Sequence, residues 1–285
     1  MNTKAIELPK TSTLSLLSDA RHFQILFLGS FLVMVLFAND FPKEYLVQIG
    51  ITITSCLFFQ LVFTHFTNKN YSSWKSALIT SLGLCLLLKV DALEWVLFAT
   101  FIAIGSKFLI KYNGKHIFNP ANIGVVGTIL LTHHAWISPG QWGSNIIYLF
   151  IVGSLGFLVI KKVSRIDIAL TFIGTFGSLL FIRNILYLGW PIDFWLHQMT
   201  NGTLMLFTFF MITDPMTTPN NKKGRIVFAL ILAITAFYLT TFNHFYAAPV
   251  WVLLFMSPLT IVFDRIWKDR KFSWQNSVGS NQKHK

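Results

Sequence analysis

Trp95-Val-Leu-Phe-Ala-Thr-Phe-Ile-Ala-Ile-Gly-Ser-Lys-Phe-Leu-Ile110 is an apolar run that ends in the basic loop Lys111-Tyr-Asn-Gly-Lys-His-Ile-Phe-Asn119. A second apolar run, Pro120-Ala-Asn-Ile-Gly-Val-Val-Gly-Thr-Ile-Leu-Leu-Thr132, follows at once. Apolar run, short basic loop, apolar run is the pattern of a chain that crosses a bilayer and turns back. The same pattern extends in both directions. The apolar segments are Phe23–Ala38, Tyr45–Phe66, Trp74–Leu88, Trp95–Ile110, Pro120–Thr132, Asn145–Ile160, Ile166–Ile182, Gly202–Thr213, Arg225–Phe242 and Phe245–Phe263. They predict an all-α polytopic membrane protein of about ten transmembrane helices. Several fall short of the roughly 20 residues that a straight span prefers. Pro120–Thr132 and Gly202–Thr213 are the shortest, and each borders a proline-containing motif, the place where membrane folds commonly build a site.

Composition agrees. The 285 residues are 54% hydrophobic and only 12% charged, with 29 phenylalanines. A soluble domain is about 25% charged, so a water-facing surface here would lack polar groups. The formal net charge of +12 is spread in short runs between apolar segments. It therefore reads as a topology signal rather than a nucleic-acid patch, and no nucleic acid is expected as a partner. Of the 23 basic residues, only Lys43, Lys89 and Arg183 fall in the loops of one side. Positive charge resists translocation, so the rich side is expected to be cytoplasmic, with both termini there, in a bacterial inner membrane. Residues 1–21 then form a cytoplasmic segment and 265–285 a basic cytoplasmic tail. No cleavable signal peptide is visible, and His22–Ala38 reads as a retained helix.

The two halves, 22–144 and 145–264, echo one another. Ser76-Ala77-Leu78 leads on to His116-Ile-Phe-Asn-Pro-Ala121, and Asn201-Gly-Thr203 to His244-Phe-Tyr-Ala-Ala-Pro249. Five spans per half is an odd number, so the repeats are expected to be inverted, with a site near the midplane where broken helices meet.

Two motifs carry the candidate chemistry. In the first, Pro120 suits the first turn of a helix and Asn119 can cap it. With His116 and Asn122, Asn119 also sets polar side chains around one helix N-terminus, which attracts electron-rich or anionic groups. An amide both donates and accepts, which suits the edge of a flavin ring. In the second motif, Met211-Ile-Thr-Asp-Pro-Met-Thr-Thr-Pro219, Asp214 sits at the end of an apolar span. It either pairs with Lys223 or Arg225, or serves a cation or proton with Thr213 and Thr217 supplying oxygens. No ion is selected by these residues, and whether a metal binds is left open. His133 and His134 read as part of a hydrated loop. Cys56 and Cys85 read as small buried hydrophobes. Nucleotide-binding, hydrolase and zinc-protease motifs are missing from the sequence.

Gly114-Lys-His-Ile-Phe-Asn-Pro-Ala121 and Phe209-Phe-Met-Ile-Thr-Asp-Pro-Met-Thr217, followed by Lys223-Gly-Arg225, resemble the D subunit of Rnf electron-transport complexes. They are also similar to the B subunit of the sodium-translocating NADH:quinone oxidoreductase. Leu253-Leu-Phe-Met-Ser-Pro-Leu-Thr-Ile-Val-Phe-Asp264 fits the same pattern, and the resemblance runs from about Ser76 to Arg265. It implies ten helices in two inverted five-helix repeats, similar to urea transporters. It also implies a flavin-bearing subunit of a membrane redox chain coupled to Na+ or H+ movement. Two asparagines beside a non-covalent flavin in the family match His116 and Asn119 here, so one is kept and one altered. Asp214, with Thr213 and Pro215, matches the proposed ion-coupling motif. Family members attach FMN covalently to a threonine in an insertion after the fifth span. The short loop from His133 to Ser144 has no such threonine, so covalent FMN is not expected, in keeping with compact UnbU-like relatives. A non-covalent flavin (FMN or riboflavin), membrane lipid, a redox partner protein or other complex subunits, and quinone are the implied partners. With no cysteine cluster and no NAD motif, the chain is expected to be at most one subunit of an oxidoreductase. The rival readings are a solute or ion channel of the same fold, and a scaffold that binds nothing.

Overall fold

A computed structural model describes residues 19–38, 40–67, 73–138, 156–158, 160 and 164–272. The helices are α1 (Ala20–Ala38), α2 (Lys43–Thr67), α3 (Trp74–Leu87), α4 (Leu93–Leu109), α5 (Pro120–Thr132) and α6 (Ile166–Phe181). They continue with α7 (Ile192–Met199), α8 (Gly202–Leu206), α9 (Lys222–Phe242), α10 (Ala248–Met256) and α11 (Leu259–Ile266). Wide π-type turns extend α6 through Ile182–Tyr187 and α8 through Phe207–Met211. Four of these helical stretches are long and apolar enough to cross a membrane: Arg21–Ala38, Lys43–Thr67, Ile166–Tyr187 and Lys222–Phe242. The pair α10 and α11 makes a fifth if counted as one span bent by 57°. The chain is thus a mostly helical, multi-pass membrane protein. The expected segment Asn145–Ile160 lies almost wholly outside the described residues, as do most of 1–21 and the end of the tail.

The distribution of side chains on α2 explains why these helices need lipid. Its buried face is Tyr45, Gln48, Thr52, Ser55, Cys56, Gln60 and Thr64, almost all polar. Its exposed positions include Leu46, Val47, Phe58, Leu61 and Phe66. Water would favour the reverse. Hydrocarbon favours this arrangement, because polar groups find partners only inside the bundle. Those partners are specific: Tyr45 Oη donates to the Cys85 carbonyl at 2.7 Å, and Gln48 Nε2 to the Leu88 carbonyl at 3.0 Å. Both bonds satisfy carbonyls where α3 ends.

The exits of the short helices α3 and α5 depart from an all-α expectation. Leu88–Val90 pairs antiparallel with Ala135–Ile137, with Leu88 opposite Ile137 and Val90 opposite Ala135. We label these strands β1 and β4. The ribbon is extended by Ser138 N–H to the Leu87 carbonyl at 2.7 Å. Backbone that leaves a helix needs new hydrogen-bond partners, and two exits side by side supply each other. A second ribbon joins β2 (Lys111–Tyr112) to β3 (Lys115–His116) through Asn113 and Gly114, both with positive φ. Gly124 lets α5 lie directly on α4. A Cβ there would stand 2.8 Å from Ala103 Cβ and 3.0 Å from the Ala99 carbonyl, a distance at which a close helix crossing demands glycine.

At one end of the bundle the β2–β3 hairpin is fastened to the second half of the chain. Lys115 Nζ reaches the Thr218 carbonyl (2.6 Å), Asn220 Oδ1 (3.1 Å) and Asp264 Oδ2 (2.7 Å). Asp264 Oδ1 in turn accepts from Asn220 N at 2.7 Å. The basic loops around 111–115 and 220–223 therefore lie at the same end of the molecule, as their shared charge predicts.

Candidate functional site

Asn119 has an extended backbone (φ −64°, ψ 125°), and its side-chain oxygen accepts from Asn122 N at 3.1 Å, with Pro120 opening the helix behind it. The expected cap is present. The other Asn119 atom turns outward: Nδ2 lies 3.4 Å from Asp214 Oδ2. Asp214 stands in the tight turn that follows the α8 segment, where its Oδ1 accepts from Met216 N at 3.0 Å. Two motifs separated by 95 residues thus meet, and they meet in a cavity of about 280 Å³. Gln60, Lys107, His116, Asn119, Phe210 and Asp214 are among its walls.

The cavity gathers charge. Arg21, Lys107, Lys111 and His116 line it together with Asp214. Arg21 is paired with Asp19 at 2.9 Å, and Lys111 lies near the surface over the Phe108 ring. Burial pushes the Asp214 carboxyl above the ordinary carboxylate range, against the opposing pull of the Met216 N–H and of Lys107, Arg165 and Lys115. Burial, reinforced by the Lys107 and Lys111 ammonium groups, brings the His116 imidazole down to about 4. His116 is therefore neutral near pH 7, and its Nδ1 is buried with no partner among the described residues.

A pH dependence follows. An unfolded histidine titrates near 6.5, so between 6.5 and about 4 the unfolded chain binds a proton that the folded chain refuses. The stabilisation from keeping this ring neutral is fully present above 6.5 and lost as pH falls toward 4, with a slope of up to about 1.4 kcal/mol per pH unit. Thermal unfolding in detergent between pH 7 and 4.5 should show this slope in the wild type and a flatter one in His116→Gln. Parallel profiles would refute the assignment.

Other sequence-predicted residues fall elsewhere. Asn122 is fully buried behind the cap, outside the cavity wall, and both of its amide atoms lack partners among the described residues. Thr213 Oγ1 donates to the Phe209 carbonyl at 2.6 Å, and Thr217 Oγ1 to the Asp214 carbonyl at 3.3 Å. Neither threonine lines the cavity. The pairing of Asp214 with Lys223 or Arg225 is corrected: Arg225 Nη2 binds Asp167 Oδ2 at 2.6 Å, and among the described residues Lys223 forms no ion pair, its backbone N–H donating to Asn221 Oδ1. Arg225 is held by α6 because both side chains sit at the buried seam of α6 and α9. Among the described residues no cluster of three or more His, Cys, Asp or Glu is arranged for a metal ion.

Sequence reasoning missed Lys107 and Gln60, which line the same cavity as Asp214. Lys107 Nζ donates to Gln60 Oε1 at 3.3 Å, and Gln60 Nε2 donates to Ser73 Oγ at 2.8 Å. The signal was available, since a lysine inside an apolar span is expensive unless the site uses it. His134, away from this cavity, pairs with Asp91 at 2.6 Å and stacks on Trp95. A second cavity, of about 390 Å³, is lined by His197, Asn201, Thr203, His244 and Pro249. The start of α8 lines this second cavity, and Leu206, Phe210 and Met211 at its other end line the first.

Residues 130–273, half of the chain, match the NQR2, RnfD, RnfE family. The chain belongs to that family. The D subunit of the ion-translocating oxidoreductase complex of Stutzerimonas stutzeri is 28% identical over 140 residues, 47% of this chain and 38% of the relative. The D subunit of the proton-translocating ferredoxin:NAD(+) oxidoreductase complex of Clostridium ljungdahlii is 29% identical over 136 residues, 47% and 40% of the two chains. The chain thus aligns with well under half the length of these relatives. Within the NQR2, RnfD, RnfE match lie Thr213, Asp214 and Arg225, whereas His116 and Asn119 precede it.

Proposed function

We propose that this member of the NQR2, RnfD, RnfE family is a flavin-associated electron-transfer subunit of a membrane redox complex. The observation that carries the reading is the shared cavity in which Asn119 meets Asp214. Its size, about 280 Å³, lies at the lower edge of small-molecule sites, roughly 300–1,000 Å³. Its donors suit a polar-edged flat ring. His116 Nδ1 is a buried polar atom in want of a partner, and Asn119 Nδ2 makes only a long bond. When bound, a non-covalent FMN or riboflavin supplies the redox chemistry. The chain's own residues would hold it: Asn119 and His116 offer polar groups to it, Phe210 and Met211 offer apolar contact, and Asp214 would hold or pass a proton or Na+ at the carboxylate. Electrons enter from other subunits or a partner protein, and quinone is a candidate acceptor.

The same reading has ten spans in two inverted repeats in a bacterial inner membrane, termini inside. Support comes from the two short helices that follow the echoed His116 and His244 stretches. Pro120 and Pro249 each open a short helix, α5 and α10. Purification in mild detergent tests the function directly. The preparation should be yellow, show flavin absorbance, and release one flavin per chain on acid denaturation without proteolysis. Colourless protein that neither releases nor takes up flavin would refute the proposal.

The two cavities at the ends of α8 favour a second reading, a solute path with no redox chemistry. That reading requires liposome flux without an electron donor, abolished in Asp214→Asn.

A further inference from the structure

We propose that Lys107 is the positioning charge of the flavin cavity, set to favour the reduced, negatively charged form of the bound ring over the oxidised one. The inference rests on the flavin reading above. Lys107 is only 4% exposed and lies on α4, where it lines the cavity together with Asp214. Its ammonium has one hydrogen bond, to a neutral amide oxygen, and no carboxylate within ion-pair distance among the described residues. A buried cation with only this support is costly to keep.

The other charged walls are accounted for. Arg21 is paired with Asp19, Lys111 is exposed, His116 is neutral near pH 7, and Asp214 accepts hydrogen bonds from Met216 and Asn119. Lys107 is left as the buried positive charge that an incoming negative charge would meet. Low local dielectric makes such a charge act strongly on its neighbour. Reduction adds one electron, delivered by dithionite in the test, with no bond made or broken and no proton moved at Lys107. A ring held in this cavity would gain its negative charge in the field of the Lys107 ammonium, which would stabilise the reduced form more than the neutral oxidised form.

The test measures the midpoint potential of riboflavin bound to the purified full chain, by dithionite titration at fixed pH, in wild type, Lys107→Met and Lys107→Arg. Lys107→Met should weaken binding of reduced flavin about tenfold more than binding of oxidised flavin. For a one-electron couple this lowers the potential by about 59 mV. Lys107→Arg, which keeps the charge, should restore most of the difference. Lys107→Gln replaces the methionine variant if that protein aggregates on size exclusion, and the same shift is expected. Flavin bound by all variants at one unchanged potential overturns the role of Lys107 and leaves the flavin reading standing. A wild type that binds no riboflavin overturns the flavin reading, and this inference with it.

Discussion

Arg225→Met is expected to destabilise the protein by roughly 3–5 kcal/mol, the cost of leaving one partner of a buried ion pair alone. The pair is closed on both sides, with the Arg225 and Asp167 side chains only 10% and 12% exposed. Arg225 Nε and Nη2 both reach Asp167 Oδ2, at 2.7 and 2.6 Å, and Nη1 donates to the Asn220 carbonyl at 2.6 Å. Removing the guanidinium strands a carboxylate whose Oδ1 already lacks a partner among the described residues. It also loosens α6 from α9. The double variant Arg225→Met/Asp167→Leu should recover most of the loss, since replacing both charges with apolar groups removes the desolvation penalty as well. Reversible unfolding in detergent micelles, followed by circular dichroism, measures both. A single variant within about 1 kcal/mol of wild type would mean that the pair is hydrated and carries little.

Asn119→Ala should lower flavin retention at least tenfold, about 1.4 kcal/mol, and separately cost about 0.5–2 kcal/mol of stability through the lost cap. The two losses have different origins, and Asn119→Ser separates them. Serine caps about as well as asparagine, so the helix should keep its stability. It has no amide nitrogen to reach Asp214, where Asn119 Nδ2 now lies at 3.4 Å, and so removes the donor that would face a bound flavin. On the flavin reading, flavin content per chain should fall in both variants while the melting temperature falls mainly in Asn119→Ala. If Asn119→Ser retains full flavin, the amide is a cap and nothing more.

The sequence made the four long spans plain because lipid imposes one rule, uninterrupted apolar length, which composition alone can satisfy. It could not show where spans break from within. Phe245–Phe263 read as one segment, yet it bends by 57° at Ser257-Pro258, where proline removes a backbone donor. The β1–β4 ribbon was invisible because three-residue strands have no periodicity of their own and form only when two helix exits lie side by side. The exposed helix α7 (Ile192–Met199) was missed because eight residues are too few to register as a span. At the site, Asn119 and Asp214 were legible as motifs, whereas Lys107, inside the apolar run Trp95–Ile110, was counted only with the basic residues of the charge-rich side. That grouping is right in sequence and wrong in depth, since the lysine is buried inside the bundle. The Arg225 partner was misread because chain proximity to Asp214 was given more weight than the packing of α6 on α9, a long-range fact that local sequence does not hold.

Lys115 constrains how the molecule moves. One ammonium holds together a hairpin from the first half, the Thr218–Asn220 loop and the last helix of the second half. Large rocking of one half against the other cannot begin at this rim without tearing three bonds at once.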